Sequence, residues 1–195
     1  MPKNIIALEG IDGAGKSSTI KLLVDRYKPY ITVYTRTKKG KLIDKIVSCR
    51  FMRKHYMLQI PIYICLSHIN LLKSNLQLKY NKIIIMDRCF LSNICYFYPQ
   101  SLNNRRLFNF LMHFEPKLFP QKIFILDISP TVAQKRDLYK KDLEWLINTR
   151  TAYLNTQNTE FLAKYNIDVI NENFSIEEKT KIISNFIQEV IKNGN

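Results

Sequence analysis

The sequence predicts an α/β fold, doubly wound, with a mostly parallel five-stranded sheet flanked by helices, and two observations carry that prediction. Five short apolar runs are each bounded by polar or turn residues, and longer stretches with helical spacing lie between them. Runs rich in Ile, Val and Phe without strict alternation suit parallel strands covered on both faces. Strands that alternate with helices along a whole chain point to a parallel sheet.

Taken in order, a strand over 5–9 leads through a glycine-rich turn into a helix over 16–27. A second strand covers 31–35, and a long helical segment covers 61–79 with Pro61 at its start, where a missing amide donor costs least. The third strand is expected over 82–86, followed by helical spacing over 102–113 and a fourth strand over 122–127. Pro130 marks another helix start, 142–164 reads as a helix, 167–170 as the fifth strand and 176–192 as the last helix. Ligands of such sheets bind beyond the carboxyl ends of the strands. That rule gathers 10–17, Arg36, Asp87, Arg88 and the segment after Asp127 around one crevice.

Composition narrows the class. A chain of 195 residues is expected to form one domain over 1–195, and 46% hydrophobic against 24% charged residues is the balance of a folded chain rather than a disordered one. There is no run of 18 apolar residues to span a membrane, and the first residues lack the basic and apolar regions of a secretion signal, so a cytoplasmic location is expected. Cys49, Cys65, Cys89 and Cys95 form no C-x-x-C pair and read as reduced thiols rather than a zinc site or a disulfide framework. The net charge of +14 favours polyanionic partners. With lysines scattered along the chain and no basic motif interleaved with aromatics, nucleotide phosphates are expected in preference to nucleic acid.

Gly10-Ile11-Asp12-Gly13-Ala14-Gly15-Lys16-Ser17 is a complete G-x-x-x-x-G-K-[ST] loop between a predicted strand and a predicted helix. Its glycines let successive amides turn inward on phosphate oxygens, and the helix that follows presents its positive end. Lys16 is expected to reach the β- and γ-phosphates of ATP and the Ser17 hydroxyl to ligate Mg²⁺, with Gly10, Asp12, Gly13, Ala14, Gly15 and Ser18 completing the ATP cradle.

The longer stretch Leu8-Glu9-Gly10-Ile11-Asp12-Gly13-Ala14-Gly15-Lys16-Ser17-Ser18-Thr19 resembles the opening of thymidylate kinases. Val33-Tyr34-Thr35-Arg36 is similar to that family's strand ending in an arginine. Ile83-Ile84-Ile85-Met86-Asp87-Arg88, with Ser92 and Tyr96 beyond it, is similar to its Asp-Arg motif. The resemblance runs from about Ile5 to Tyr153 and implies transfer of phosphate from ATP to a nucleoside monophosphate, dTMP foremost, in a homodimer. It implies that Asp12 meets the acceptor sugar and Arg36 holds the acceptor phosphate. Asp87 would orient that phosphate or a magnesium-bound water, and Arg88 would bridge donor and acceptor phosphates. Tyr63, Ser67, Ser92, Tyr96 and Tyr153 are then acceptor-side residues, with Ile64 and His68 an alternative register for the first two. A short lid around 136–145 carries Arg136 as the catalytic arginine, with Lys140 and Lys141 beside it.

Three features depart from the family pattern. The stretch 62–70 holds no arginine, Cys89 follows Asp-Arg where an aromatic is usual, and Phe97 stands where a Gln is usual. All three concern the acceptor rather than the transfer chemistry, so a kinase for another (deoxy)nucleotide or nucleoside stays open. So do a nucleic-acid-associated ATPase and a family member that binds nucleotide without catalysis. Arg36 favours a monophosphate acceptor over a free nucleoside. Lys16, Ser17, Asp87 and Arg88 favour retained catalysis.

Overall fold

Whether a strand sits inside a sheet or at its edge follows from how many of its side chains must leave water. All five residues of β1 (Ile5–Glu9) and of β4 (Lys122–Leu126) are buried, and four of the five in β3 (Ile83–Asp87). β2 (Ile31–Thr35) buries only two of its five residues and β5 (Ile167–Ile170) only one of its four. The computed structural model, which describes residues 4–35, 65, 68–69, 83–115, 118–136 and 142–193, arranges them accordingly. Among the described residues the sheet has five strands in the order β2-β3-β1-β4-β5, and every pairing is parallel.

Register places the strand ends side by side. Leu8 pairs with Asp87, Thr35 with Asp87, and Glu9 with Ile125. The residues that leave β1, β3 and β4 at their carboxyl ends therefore share one edge. Helices cover the sheet: α1 (Lys16–Tyr27) and α6 (Ile176–Asn193) pack on each other, and α2 (Phe90–Phe97) packs against α5 (Leu143–Asn155). Ile6, Leu8, Ile85, Ile123 and Leu126 fill the middle with 1% exposure or less. Truncating one of them, such as Leu8→Ala, would cost about 2–5 kcal/mol.

Most predicted elements appear where the sequence placed them, with a few shifts. β3 runs one residue further, through Asp87, while Lys82 lies outside the described residues. β4 stops at Leu126, although the Asp127 amide still donates to the Ile170 carbonyl at 2.9 Å. Helical spacing over 102–113 resolves into a 3₁₀ turn, Pro99–Asn103, and α3 (Arg105–His113), separated by Asn104, whose side chain accepts from the Leu107 amide. The helix expected over 142–164 ends at Asn155 and continues as two 3₁₀ turns, Thr156–Asn158 and Glu160–Tyr165. The run Thr156-Gln157-Asn158-Thr159 explains the break. The Thr156 and Thr159 hydroxyls donate to the carbonyls of Tyr153 and Asn155, an alternative to regular helix that such side chains offer the backbone. α2 and α4 (Pro130–Arg136) complete the set, Pro130 standing at a helix start as expected. Of the segment 61–79, the described residues Cys65, His68 and Ile69 are helical, and the rest lies outside the description.

Candidate functional site

The first strand delivers the chain to the carboxyl edge, and the glycines let it turn there. Gly10 has φ +129°, and a Cβ on it would stand 2.5 Å from the Leu126 carbonyl oxygen. Gly13 has φ +85° and would bring a Cβ within 2.8 Å of the Ala133 carbonyl oxygen. Only glycine tolerates both the positive φ and the close approach. Gly15 caps α1 in the left-handed region without a side-chain hydrogen bond, so no side chain occupies the amides of the first helical turn. Such amides, with the helix dipole behind them, form a receptor for phosphate.

A cleft of about 460 Å³ opens over these amides. Asp12, Gly13, Gly15, Lys16, Ser17, Ser18, Asp87, Arg88, Arg136 and Ile176 line it. Nine of those ten residues are ones the sequence nominated, drawn from the loop, the end of β3 and the end of α4. Gly10 and Ala14 lie beneath: Ala14 is buried, and its amide donates to Ile11 within the loop at 3.2 Å. Ser92, Tyr96 and Tyr153 stand behind Arg88 rather than on the wall of the cleft. Arg36, Tyr63, Ser67, Ile64, Lys140 and Lys141 lie outside the described residues.

Lys16 is the electrostatic centre. Its ammonium donates to the carbonyls of Gly10 and Ile11, both at 2.8 Å, which aims it back along the loop. Burial, with Arg88 adding to it, pushes its pKa down to about 7 against the attraction of Asp12, Glu9 and Asp87. A group so poised gains its full charge when anionic oxygens come beside it.

Arg88 is held from several sides. Its guanidinium donates to Asp12 through Nη2, and through Nη1 to the Gly10 carbonyl at 3.3 Å and the Ser92 hydroxyl at 3.2 Å. The Tyr96 ring lies 5.1 Å from it, in cation–π range, and is itself edge-on to Tyr153 and Trp145. The Asp12 carboxylate, odd in a phosphate cradle, thus stands opposite a cation. Burial raises the Asp87 carboxyl above the usual range while Arg88 and Lys16 pull it back. Arg88 itself has φ +71°, a conformation that costs a residue with a Cβ about 1–3 kcal/mol and calls for support from its surroundings.

That support leads to a residue given no role above. Glu9, fully buried, accepts from the Cys89 amide at 2.6 Å, the Ser92 hydroxyl at 2.7 Å and the Tyr153 hydroxyl at 2.9 Å. A carboxylate closing an otherwise apolar, buried strand was the available signal, because a buried charge needs partners. Ile176 was missed as well. It starts α6 beside Gly15, behind a reciprocal cap in which Ser175 and Glu178 each accept from the other's amide.

On the other flank, both Asp127 oxygens accept from Arg150, through Nε and Nη2 at 2.7 Å, and Glu172 lies 3.3 Å from the same guanidinium. Lys179 donates to the Asp127 carbonyl at 2.7 Å. The end of β4, helix α5 and the start of α6 are joined at this point, next to α4 and its exposed Arg136.

The residues present suit a magnesium ion. Ser17 and Asp87 share the cleft and offer oxygen donors alone, the ligand type a hard cation takes together with water and phosphate oxygens. Among the described residues no group of three or more His, Cys, Asp or Glu side chains forms an all-protein cage.

The thymidylate kinase family model matches residues 8–185. The chain is 30% identical to a thymidylate kinase of Campylobacter lari over 197 residues, which cover 94% of this chain and 99% of that one. It is 27% identical to a thymidylate kinase of Sulfurimonas denitrificans, with 97% and 98% covered. Among solved structures, thymidylate kinases of Ehrlichia chaffeensis and Candida albicans superpose with TM-scores of 0.66 and 0.69 at 21% and 20% identity. These alignments cover 93% of this chain and 98% of the first, and 98% of this chain and 93% of the second.

Proposed function

The chain belongs to the thymidylate kinase family, and from that membership we propose that it transfers the terminal phosphate of ATP to dTMP, giving dTDP and ADP. The observation that carries this reading is a cleft in which Lys16 and Ser17 face Asp12, Asp87 and Arg88 together. A donor-phosphate cradle and an acceptor-side carboxylate and arginine are thereby brought within one ligand's reach.

Each residue has work suited to its place. The amides from Gly13 to Ser18 receive the donor phosphates, and Lys16 offsets their charge. Asp12 accepts from the acceptor sugar, and Arg36 holds the acceptor phosphate. As an oxygen of that phosphate attacks and the bond to the leaving ADP oxygen breaks, Arg88 stabilises the charge spread over the transferring group. Ser17 and Asp87 would hold Mg²⁺, which when bound neutralises phosphate charge and aligns the donor. Arg136 closes the cleft from the lid side. Tyr96 supports Arg88 by stacking, and Tyr153 acts through its hydrogen bonds rather than by touching the acceptor. A homodimer is part of the proposal, with light scattering as its check, as is a cytoplasmic location. No helix among the described residues is long and apolar enough to cross a membrane.

ADP formation with ATP and Mg²⁺ against dTMP, dUMP, dCMP, dGMP, UMP, CMP and thymidine tests the reading. Turnover is expected with dTMP foremost. Turnover confined to another acceptor would keep the transfer chemistry and replace the substrate. Tight ATP binding without turnover on any of them would replace catalysis by binding.

A further inference from the structure

We propose that Glu9 is the positioning residue that fixes Arg88 for phosphoryl transfer, an inference that rests on the role given to Arg88 above. Glu9 does not line the cleft. It acts on Arg88 in two ways, one through the backbone and one through a side chain.

The backbone route begins with the left-handed conformation of Arg88. The peptide groups on both sides of it are tied to β1: the Arg88 amide donates to the Leu8 carbonyl at 3.1 Å, and the Cys89 amide donates to Glu9 Oε1 at 2.6 Å. Without the second tie, the chain is free to relax toward an ordinary conformation, swinging the guanidinium away from the loop.

The side-chain route is a hydrogen-bond chain with a fixed direction. A carboxylate only accepts, so the Ser92 hydroxyl must give its proton to Glu9 Oε2. Its lone pairs then remain for Arg88 Nη1 at 3.2 Å. Tyr153 donates to the same carboxylate oxygen, so although its hydroxyl lies 3.1 Å from Ser92 Oγ, neither hydroxyl has a proton left to give the other. Glutamine at this position has nearly the same shape but the wrong polarity. Its amide nitrogen would face two hydroxyls as a donor, so the Ser92 proton would lose the acceptor that directs it and the Ser92 lone pairs would be shared with Arg88.

The test uses the full chain with ATP, Mg²⁺ and dTMP, comparing wild type, Glu9→Gln, Ser92→Ala, the double variant and Arg88→Ala. Glu9→Gln is expected to lower kcat about 30- to 300-fold while KM for ATP stays within about twofold, since Lys16 keeps its bonds to the Gly10 and Ile11 carbonyls. Ser92→Ala is expected to lower kcat about tenfold, and adding it to Glu9→Gln should cost less than about threefold more, because one channel is being cut twice. A purely structural Glu9 would lower the melting temperature and leave kcat unchanged well below it. A Glu9→Gln kcat within about threefold of wild type, with Arg88→Ala inactive, overturns the inference and spares the role of Arg88. Near-normal turnover in Arg88→Ala overturns both. Should Glu9→Gln not fold, Ser92→Ala decides: a lower kcat at constant ATP KM supports the relay, and an unchanged kcat overturns it.

Discussion

Two carboxylates flank the phosphate loop, and they are held in opposite ways. Glu9 ends β1, is wholly buried and accepts from three neutral donors: an amide, a serine and a tyrosine. Asp127 follows β4, is itself buried, and accepts from one cation, whose side chain keeps 27% of its exposure. Neutral donors converging on a buried anion lose all three bonds together if the hub is disturbed, and salt cannot reach them. A part-exposed ion pair is screened by salt and can open and re-form. The half at the end of β3, with Arg88, is thus braced by a fixed core to which α5 contributes Tyr153, and the half at the end of β4 is fastened to the same helix through Arg150 by a contact that can be exchanged. This suits a reaction that needs one wall rigid and access past the other.

The comparison breaks most completely at the residue both halves serve. Lys16→Ala should reduce turnover by about 1,000-fold or more in the ADP-formation assay, and near-normal activity would remove the loop from catalysis.

Next in size is the ion pair. Asp127→Asn, with Arg150 left facing a neutral amide, should cost about 1–3 kcal/mol in urea unfolding. It should also raise KM for ATP several-fold while KM for dTMP holds. Raising NaCl from 0.05 to about 0.5 M should narrow that stability gap; an equal gap at both salt levels would mean that the pair is as enclosed as Glu9.

A pH effect separates the halves further. Lys16 titrates near 7 in the folded chain and near the ordinary lysine value of 10.5 when unfolded. Between those values the unfolded chain holds a proton that the folded one lacks, so this contribution to stability rises with pH, by at most about 1.4 kcal/mol per unit. Denaturation at pH 7, 8 and 9 should show the rise in wild type and not in Lys16→Met. Phosphate reverses the preference, so ATP binding at pH 8 should take up protons, measurable by calorimetry in buffers of different ionisation enthalpy. No uptake would show that Lys16 is already charged.

The smallest effect is expected for Tyr153→Phe, which removes one of the three donors to Glu9 and leaves the relay to Arg88. About 0.5–1.5 kcal/mol of stability should be lost, with KM for ATP unchanged. A larger loss than that of Asp127→Asn would invert the ranking of the two halves.

Legibility in the sequence followed the distance over which each feature is built. The loop from Gly10 to Ser17 is a local device, and nearly all of it lines or underlies the cleft as read. Asp87 and Arg88 were found because they close an apolar strand. The strands showed through composition. The helix over 142–164 was overextended, because threonines that suit a helical pattern also bond to their own backbone. Glu9 was hidden because its partners lie 80, 83 and 144 positions away, and no local pattern encodes such a convergence. The bidentate grip of Arg150 on Asp127 was invisible for the same reason.

The strand order has a consequence for how the protein comes into being. β1 pairs with β3 and β4, through Ile5 with Ile84 and Ile6 with Lys122, and not with β2, which follows it. During synthesis the phosphate loop leaves the ribosome early, yet the strand that carries it has no hydrogen-bond partner until residues far downstream emerge. Closing such long loops is entropically costly, and parallel sheets of this kind assemble slowly. An Ile-rich strand therefore waits unpaired in the nascent chain, a segment for chaperones to shield. The capacity to bind nucleotide should arrive late and abruptly, once β4 has closed the centre of the sheet.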